Sequence, residues 1–139
     1  ININKDYIQR VAEFLCEDKE TAFDYLSDLC GVDLSRLDGS SNFEVVYHLY
    51  SMELNHRLRL KVKIPASNPR IDTVINVWKT ADWHEREAYD MFGIIFNGHP
   101  NLQRILTPEG FNGHPLRKDY PLKGRQPDSL RGVYREGKQ

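Results

Sequence analysis

The sequence predicts an α+β domain of two layers, in which N-terminal helices pack on a mixed or antiparallel sheet and an extended arm rich in proline and glycine follows. Three observations predict this fold. Apolar residues recur at helical spacing near the N-terminus, and they then alternate along two neighbouring segments as in strands. Five of the seven prolines and most of the nine glycines fall after residue 92, where they disfavour long helices. We therefore expect a compact body over residues 1–93 and a docking arm over residues 94–139, both within a single domain.

Size and composition fit one globular domain without a membrane span. The chain has 139 residues, of which 40% are hydrophobic and 28% charged, and its mean hydropathy is −0.61. No long apolar run is present, so a transmembrane helix is not expected. Charge is uneven: residues 1–103 carry 11 basic and 16 acidic side chains, whereas residues 104–139 carry 8 and 4. The basic arm is expected either to meet a partner or to be solvated.

Two helices are expected near the N-terminus. The first begins at Lys5, where Asn4 can cap it. Its apolar residues follow helical spacing: Ile8, Val11, Ala12 and Leu15. The second is expected to end at Gly31. Its apolar residues are Ala22, Phe23, Leu26 and Leu29. Cys16 and Cys30 fall on these segments and are predicted to be buried free thiols in a reducing setting.

Two strands are predicted next, over Phe43–Ser51 and His56–Ile64. Asn55 lies in their short connection, which favours an antiparallel hairpin. One face should be buried, formed by Phe43, Val45, Tyr47, Leu49, Leu58, Leu60, Val62 and Ile64. The other face should be wet and basic, with Arg57, Arg59, Lys61 and Lys63.

Two further helices are expected before the arm. Apolar spacing between Ile71 and Trp78 favours a short helix, although its β-branched residues are also typical of a strand. The next helix is capped by Thr80 or Asp82 and ends at Gly93. Its apolar stripe comprises Ala81, Trp83, Ala88, Met91 and Phe92.

The tetrapeptide Asn-Gly-His-Pro occurs twice, at 97–100 and 112–115, and predicts two similar turns. A general-base role for His99 or His114 is one interpretation. We favour the other, in which each imidazole hydrogen-bonds to the backbone and fixes its turn.

The sequence has no motif for a metal site, a catalytic nucleophile or a nucleotide-binding loop. A helical zinc pair needs ligands at i and i+4, but Ala88 and Tyr89 occupy those positions after His84 and Glu85. A charged helix face with an Arg86–Asp90 pair is the simpler interpretation. No nucleophile elbow or phosphate loop is present, and the basic clusters are too thin to predict a nucleic-acid partner.

The arm has instead a composition typical of a protein–protein interface. Three arginines would supply forked ion pairs to partner carboxylates: Arg104, Arg117 and Arg125. Four aromatic residues would supply rigid anchors: Tyr89, Phe92, Phe111 and Tyr120.

Two ordered motifs identify a family. Residues 82–106, DWHEREAYDMFGIIFNGHPNLQRIL, closely resemble the signature of the 30 kDa or C subunit of respiratory complex I, the proton-translocating NADH–quinone oxidoreductase. Residues 113–122, GHPLRKDYPL, resemble the second hallmark of that family. The similarity runs from the first helix through Leu122. The resemblance implies that other members extend further, so we expect this chain to be either a shortened form or part of a longer or fused polypeptide.

The resemblance also implies a fold, partners and a location. The family fold is a compact α+β domain with helices on one face of a mixed sheet. The chain would be non-catalytic and would scaffold the quinone-proximal D subunit, close to the iron–sulfur subunits. FMN, iron–sulfur clusters and quinone would all be carried by other subunits. It would lie peripherally on the cytoplasmic face of the inner membrane, contacting the membrane only through other subunits.

The resemblance further implies roles for individual residues. Glu85, Arg86, Glu87 and Asp90 would form a buried or interface salt-bridge network at the start of the arm. Its turns would be shaped by Gly93, Gly98 and Gly113. The expected interface and signature residues are Glu85, Arg86, Glu87, Tyr89, Asp90, Phe92, Gly93, His99, Pro100, Arg104, His114, Pro115, Arg117, Lys118, Asp119 and Tyr120. Two alternatives stay open: the equivalent subunit of an energy-converting hydrogenase or another quinone reductase, and a small metal-dependent hydrolase using His84, Glu87 and His99.

Overall fold

The computed structural model describes residues 1–37 and 39–121. The elements, in chain order, are β1 (Asn2–Ile3), a 3-10 turn (Lys5–Tyr7), α1 (Ile8–Glu17), β2 (Tyr25–Asp33), β3 (Asn42–Ser51), β4 (His56–Pro65), β5 (Arg70–Asp72), α2 (Ala81–Phe92) and β6 (Ile95–Asn97). The predicted α+β class is confirmed. Positions 122–139, with Arg125 and the last part of the predicted arm, lie outside the described residues.

The strands form a mixed sheet of four and a small parallel pair. The four-stranded order is β1-β4-β3-β2, with β1 parallel to β4 and the other pairs antiparallel. In the predicted hairpin of β3 and β4, Phe43 lies opposite Ile64 and Ser51 opposite His56. Strands β5 and β6 pair in parallel. The hairpin is therefore confirmed, as is the mixed sheet.

The core lies on one face of the four-stranded sheet. Val45, Tyr47, Leu60 and Val62 alternate inward from β3 and β4, and each is at most 1% exposed. Both helices pack on this side, since Ile8 from α1 and residues of α2 belong to the same buried cluster. Burying each large side chain contributes about 1.5–3 kcal/mol. The predicted buried face is confirmed.

The first helix is confirmed, but the second is wrong. Asn4 caps the opening turn, where its Oδ1 accepts a hydrogen bond from the Asp6 amide at 3.1 Å. The stretch predicted to be the second helix contains β2 instead. A register shift between Leu26 and Asp28 marks a β-bulge, so Leu26 and Leu29 both face the core three positions apart. The bulge thus imitates helical spacing.

Gly31 does not end a helix, contrary to the prediction, but allows a close approach within the core. A Cβ at this position would lie 2.6 Å from Cδ2 of Phe92. Phe92 is 8% exposed and also packs near Phe43, with the ring centroids 6.4 Å apart. The missing side chain therefore lets the end of α2 pack against β2.

The short helix predicted over Ile71–Trp78 is also wrong. Ile71 lies in β5 opposite Phe96 of β6. A single turn comes next, in which the amides of Val77 and Trp78 both donate to the carbonyl oxygen of Val74 at 3.0 Å. The two buried residues therefore belong to different elements. Ile71 is buried in the strand, whereas Trp78 is buried after the turn, where its Nε1 donates to the carbonyl of Phe23 at 2.9 Å.

Both cysteines are free thiols as predicted, but the predicted burial is wrong for Cys30, which is exposed, and Cys16 is half-buried. Cys30 lies opposite Val46 on the outer face of the sheet. Although the residue is exposed, partial desolvation of its thiol, together with the carboxylates of Asp28, Glu87 and Glu44, raises the pKa of Cys30. Its exposure does not make it a reactive thiolate.

The described part of the predicted arm, residues 94–121, returns to the body, and we call it the returning segment. Ile94 and Phe96 are core residues, at most 2% exposed. The Leu116 amide donates to the carbonyl of Met91 at 3.1 Å. The Lys118 amide donates to Oδ2 of Asp33 at 2.8 Å. The returning segment is therefore bonded to the body at several positions. The domain boundary at residue 93 stays a prediction.

Candidate functional site

The site is built on α2, whose limits are as predicted. Gly93 ends the helix with a φ of +75°, and its amide donates to the carbonyl of Tyr89 at 2.8 Å. Thr80 occupies the N-cap position without capping, because its hydroxyl donates instead to the carbonyl of Leu26 on β2 at 3.0 Å. One face of the helix is buried, with Ala81, Glu85, Ala88, Asp90, Met91 and Phe92.

Asp90 is the centre of the largest hydrogen-bond cluster around α2. Its side chain is fully buried. Oδ2 accepts hydrogen bonds from the amides of Ile105, Leu106 and Thr107 at 3.1, 2.8 and 2.8 Å. Oδ1 accepts from Nη1 of Arg104 at 2.8 Å and from the Thr107 hydroxyl at 2.5 Å. One carboxylate therefore organises four consecutive residues of the returning segment.

These contacts decide the protonation state of Asp90. Burial alone would raise its pKa, but the hydrogen bonds from Thr107, Leu106 and Arg104 outweigh burial and lower the pKa to about 2. The predicted Arg86–Asp90 pair is wrong, because Arg104 takes that place. Arg86 instead donates from Nε to the carbonyl of Gln103 at 3.2 Å.

Glu85 is the second buried carboxylate of α2. Oε1 accepts from the Val74 amide at 2.8 Å, and Oε2 accepts from the Thr73 hydroxyl at 2.5 Å. Burial raises the pKa of Glu85 to about 7 despite these two hydrogen bonds, and the nearby Asp82 adds to the rise. Glu87 is exposed and takes no part. No salt bridge joins these four predicted residues to one another within the described part of the chain, so a buried network of Glu85, Arg86, Glu87 and Asp90 is wrong, whereas an interface network stays a prediction.

The two Asn-Gly-His-Pro turns hold opposite ends of α2. The His99 ring lies with Nε2 3.3 Å from the carbonyl oxygen of Asp82, in the first turn of the helix. The His114 ring lies with Nδ1 3.0 Å from the carbonyl oxygen of Asp90, in the last turn. Nδ1 of His99 accepts a hydrogen bond from the Asn101 amide at 3.1 Å, so the ring proton is on Nε2, which is the donor. The predicted backbone role of both histidines is confirmed.

Gly93 is required where the second of these turns meets the helix. A Cβ there would lie 2.7 Å from Nε2 of His114. We expect Gly93→Ala to lower the free energy of unfolding by about 2 kcal/mol, because it combines a strained positive φ with displacement of His114. Gly39→Ala is the matched control, since Gly39 has a φ of +70° and nothing within 4 Å of its Cβ position. Urea denaturation of both variants checks this, and equal losses would contradict it.

The remaining predicted docking residues also contact this chain. Arg104 donates from Nη2 to the carbonyl of Gly113 at 3.0 Å, and its guanidinium lies 5.9 Å from the Phe111 ring centroid. Phe111 stacks on Tyr120 at 6.2 Å. The Arg117 guanidinium lies 4.9 Å from the ring centroid of Phe43 and 3.7 Å from Asp119. Tyr89 meets the His114 ring edge-on at 6.2 Å.

Trp83 is the residue that the sequence pattern misplaces. The pattern assigns it to the apolar stripe, yet it is 61% exposed. The Arg86 guanidinium lies 5.2 Å from its ring centroid. Trp83, Arg86 and the exposed Glu87 form a patch that we call the Trp83 surface. The spacing of Trp83 and Arg86, three residues apart on a helix, was the signal available in the sequence. The exposed predicted residues outside this surface are Pro100, Lys118 and Asp119.

The structure does not bring together the proposed hydrolase residues. Nδ1 of His84 lies 3.6 Å from Asp28, whereas His99 faces Asp82 and lies 4.0 Å from Glu85. Over residues 1–37 and 39–121, no group of three or more His, Cys, Asp or Glu side chains is arranged to hold a metal ion. Neither α1 nor α2 has the length and hydropathy needed to cross a membrane.

Comparison of sequences relates the chain to known proteins. A family model described as "Respiratory-chain NADH dehydrogenase, 30 Kd subunit" matches residues 1–126. The chain is 49% identical over 124 residues to the C subunit of NADH-quinone oxidoreductase from Maricaulis maris, covering 89% of this chain and 60% of that protein. It is 48% identical over 122 residues to the same-named protein of Roseiflexus castenholzii, covering 88% and 69%. The chain thus spans between 60% and 69% of these relatives.

Solved structures give a consistent result. A trypsin-resistant fragment of Nqo5 is 32% identical with a TM-score of 0.60, over 73% of this chain and 80% of that one. A chain of the membrane-bound sulfane sulfur reductase, an archaeal respiratory membrane complex, has a TM-score of 0.75 over 97% of this chain and 75% of that one. At 24% identity, the second match shows a shared fold only.

Proposed function

The chain belongs to the family of respiratory-chain NADH dehydrogenase 30 kDa subunits, and we propose that it is a non-catalytic scaffold that docks the quinone-proximal D subunit of a proton-translocating NADH–quinone oxidoreductase. The neighbouring iron–sulfur subunits are proposed as further contacts. FMN, iron–sulfur clusters and quinone are then held by other subunits of the complex. The complex is proposed to carry this chain peripherally on the cytoplasmic face of the membrane.

The observation that carries this proposal is the use made of three titratable groups of the signature, namely Asp90, His99 and His114. Asp90 accepts five hydrogen bonds from residues 104–107. The rings of His99 and His114 are directed at carbonyl groups of α2. Groups of this kind often perform catalysis, but here each is occupied in joining the returning segment to the helix. This use supports a scaffolding role.

The same construction leaves the Trp83 surface free to meet a partner. Trp83 is 61% exposed, and Arg86 is held over its ring while its Nε is bound to Gln103. Tryptophan and arginine are the residue types most enriched among those that dominate binding energy. Because both side chains are already ordered, docking costs little further entropy. The Trp83 surface is therefore the proposed contact for the quinone-proximal subunit.

We expect Trp83→Ala to lower the recovery of the quinone-proximal subunit about tenfold or more, since removal of a central aromatic anchor typically costs at least about 2 kcal/mol. The full chain, carrying an affinity tag and expressed in its native host, is used to capture its partners from solubilised membranes. The measurement is the quantity of the quinone-proximal subunit that copurifies.

Phe14→Ala is the matched control, because Phe14 is also an exposed aromatic residue on a helix, 58% exposed on α1. It should leave recovery unchanged. Equal recovery of the quinone-proximal subunit by Trp83→Ala and wild type would contradict docking through the Trp83 surface. Recovery of no other protein of the complex by the wild-type chain would contradict the proposed function itself.

A further inference from the structure

We propose that the outer face of the sheet is a second docking surface, which binds an extended acidic segment of another subunit. This inference rests on the proposed function, because it requires the chain to be part of a complex. The surface is an open groove of about 850 Å³ formed by β2, β3 and β4. Its lining residues fall between positions 25 and 59, so they include none of the signature residues at 82–120.

The groove is built from two rows of side chains that cross the sheet. In the first row, Tyr25 lies opposite Tyr50, and Tyr50 lies opposite Arg57. In the second, His48 lies between Asp28 and Arg59. Side chains on one face of paired strands are in contact range, so each row presents aromatic or imidazole surface next to a guanidinium.

Charge identifies the kind of partner. Arg57 and Arg59 are both exposed, and within residues 1–37 and 39–121 no carboxylate lies at ion-pair distance from either guanidinium. The next outward cation on β4, Lys61, differs because it pairs with Glu44 at 3.1 Å. The Arg57 guanidinium lies 5.6 Å from the Tyr50 ring centroid, which limits its freedom. Two neighbouring guanidinium forks, one of them held against an aromatic ring, are suited to carboxylates.

Spacing and apolar surface define the partner further. Arg57 and Arg59 are two residues apart on one strand, which separates them by about 6.6 Å. An extended segment with carboxylates on alternate residues has the same repeat. Elsewhere in the lining of the groove, Tyr25 on β2 is 44% exposed and Met52 after β3 is 66% exposed, which offers contact area for an apolar side chain.

A nucleic acid or an anionic membrane fits this surface less well. Such polyanions select broad positive surfaces. Here the chain has a formal net charge of −1, and Asp28 lies within the lining of the groove. Asp28 is itself 3.6 Å from His84, toward α2. The positive charge of the groove thus lies along its β4 side, at Arg57 and Arg59, where a short acidic segment can bind.

The first test is the double variant Arg57→Glu/Arg59→Glu in the tagged full chain, expressed in its native host. Recovery of the complex should fall about tenfold or more, because like charges then face each other across the contact. Arg10→Glu/Lys19→Glu is the control, with the same change in charge at exposed positions elsewhere, and it should recover the complex normally. Thermal unfolding of both variants checks that they remain folded.

The second test places a photo-reactive benzoyl-phenylalanine at position 52 of the tagged chain, where exposed Met52 lines the groove and both arginines stay in place. We expect an adduct with a segment of another subunit that carries alternate acidic residues. An adduct with a second copy of this chain, with lipid or with nucleic acid, or no adduct, would overturn the proposal. Normal recovery by a folded Arg57→Glu/Arg59→Glu variant would also overturn it while leaving the proposed function intact. A wild-type chain that recovers no other protein of the complex would overturn both.

Discussion

Replacing Asp90 with asparagine should lower the free energy of unfolding by about 3 kcal/mol at neutral pH. Both carboxylate oxygens of Asp90 act as hydrogen-bond acceptors. Their donors are three backbone amides, the Thr107 hydroxyl and the Arg104 guanidinium. An amide nitrogen in either position would face a donor. Arg104 would also lose its charged partner. Urea denaturation measures the loss.

The pH dependence provides an independent check of the Asp90 cluster. The pKa of Asp90 is lowered from an ordinary 3.8 to about 2, so its contribution is present above pH 3.8 and is lost as pH falls through 2. Asp90→Asn should therefore remove part of the acid dependence of stability. Asp119→Asn is the control, because that side chain is 76% exposed. Equal stability of the two variants would contradict the account of Asp90.

Replacing Glu85 with glutamine should stabilise the protein above neutral pH by about 3 kcal/mol and change little at pH 4.5. The pKa of Glu85 is raised from 4.5 to about 7, so the folded chain retains a proton that the unfolded chain has lost. The stabilising effect of that proton is present below pH 4.5 and is lost as pH rises through 7. Glutamine keeps the shape, and it can accept from Val74 and donate to Thr73.

The measurement is urea denaturation of wild type and Glu85→Gln between pH 4.5 and pH 8. The titratable groups facing Glu85 are Asp82 and His99, and Tyr47 is close enough to sense its charge. All three are retained in the variant, so the difference between the two curves reports Glu85. Glu87→Gln, on the exposed side of the same helix, should show no such difference. Parallel curves for wild type and Glu85→Gln would contradict the raised pKa.

Local patterns predicted the elements in which neighbouring residues decide the structure. The β3–β4 hairpin followed from strict alternation on either side of a short connection, and β3 pairs antiparallel with β4 as predicted. Helix α2 ends at Gly93 as predicted, because a left-handed residue there leaves few alternatives to glycine. In each case the pattern and the structure depend on the same few residues.

The two wrong helices failed because a strand can imitate helical spacing. In β2, the bulge after Leu26 moves the next buried position from Asp28 to Leu29. Between Ile71 and Trp78, a three-residue strand and one turn bury their apolar residues against different partners. Apolar spacing indicates which residues are buried but not whether a helix or a strand buries them. The secondary structure of both segments was determined by pairing with residues distant in sequence.

The sequence predicted which residues form the candidate site but not which of them contact each other. The signature marked Asp90, Arg104 and His114, and all three meet in the structure. However, an i, i+4 rule paired Asp90 with Arg86, whereas the actual partner is fourteen residues away across the first Asn-Gly-His-Pro turn. The apolar character of Trp83 placed it in the core, although burial of the opposite face leaves it in solvent. Pairings of this kind depend on tertiary contacts.

Amide hydrogen exchange at residues 105–107 tests the central claim most directly, namely that Asp90 joins the returning segment to the signature helix. These three amides donate to a buried carboxylate, so they should be protected in wild type although they lie outside any helix or strand. Asp90→Asn should remove that protection while the amides of the β3–β4 hairpin exchange slowly, as in wild type. Rapid exchange at residues 105–107 in wild type, or unchanged protection in Asp90→Asn, would contradict the claim.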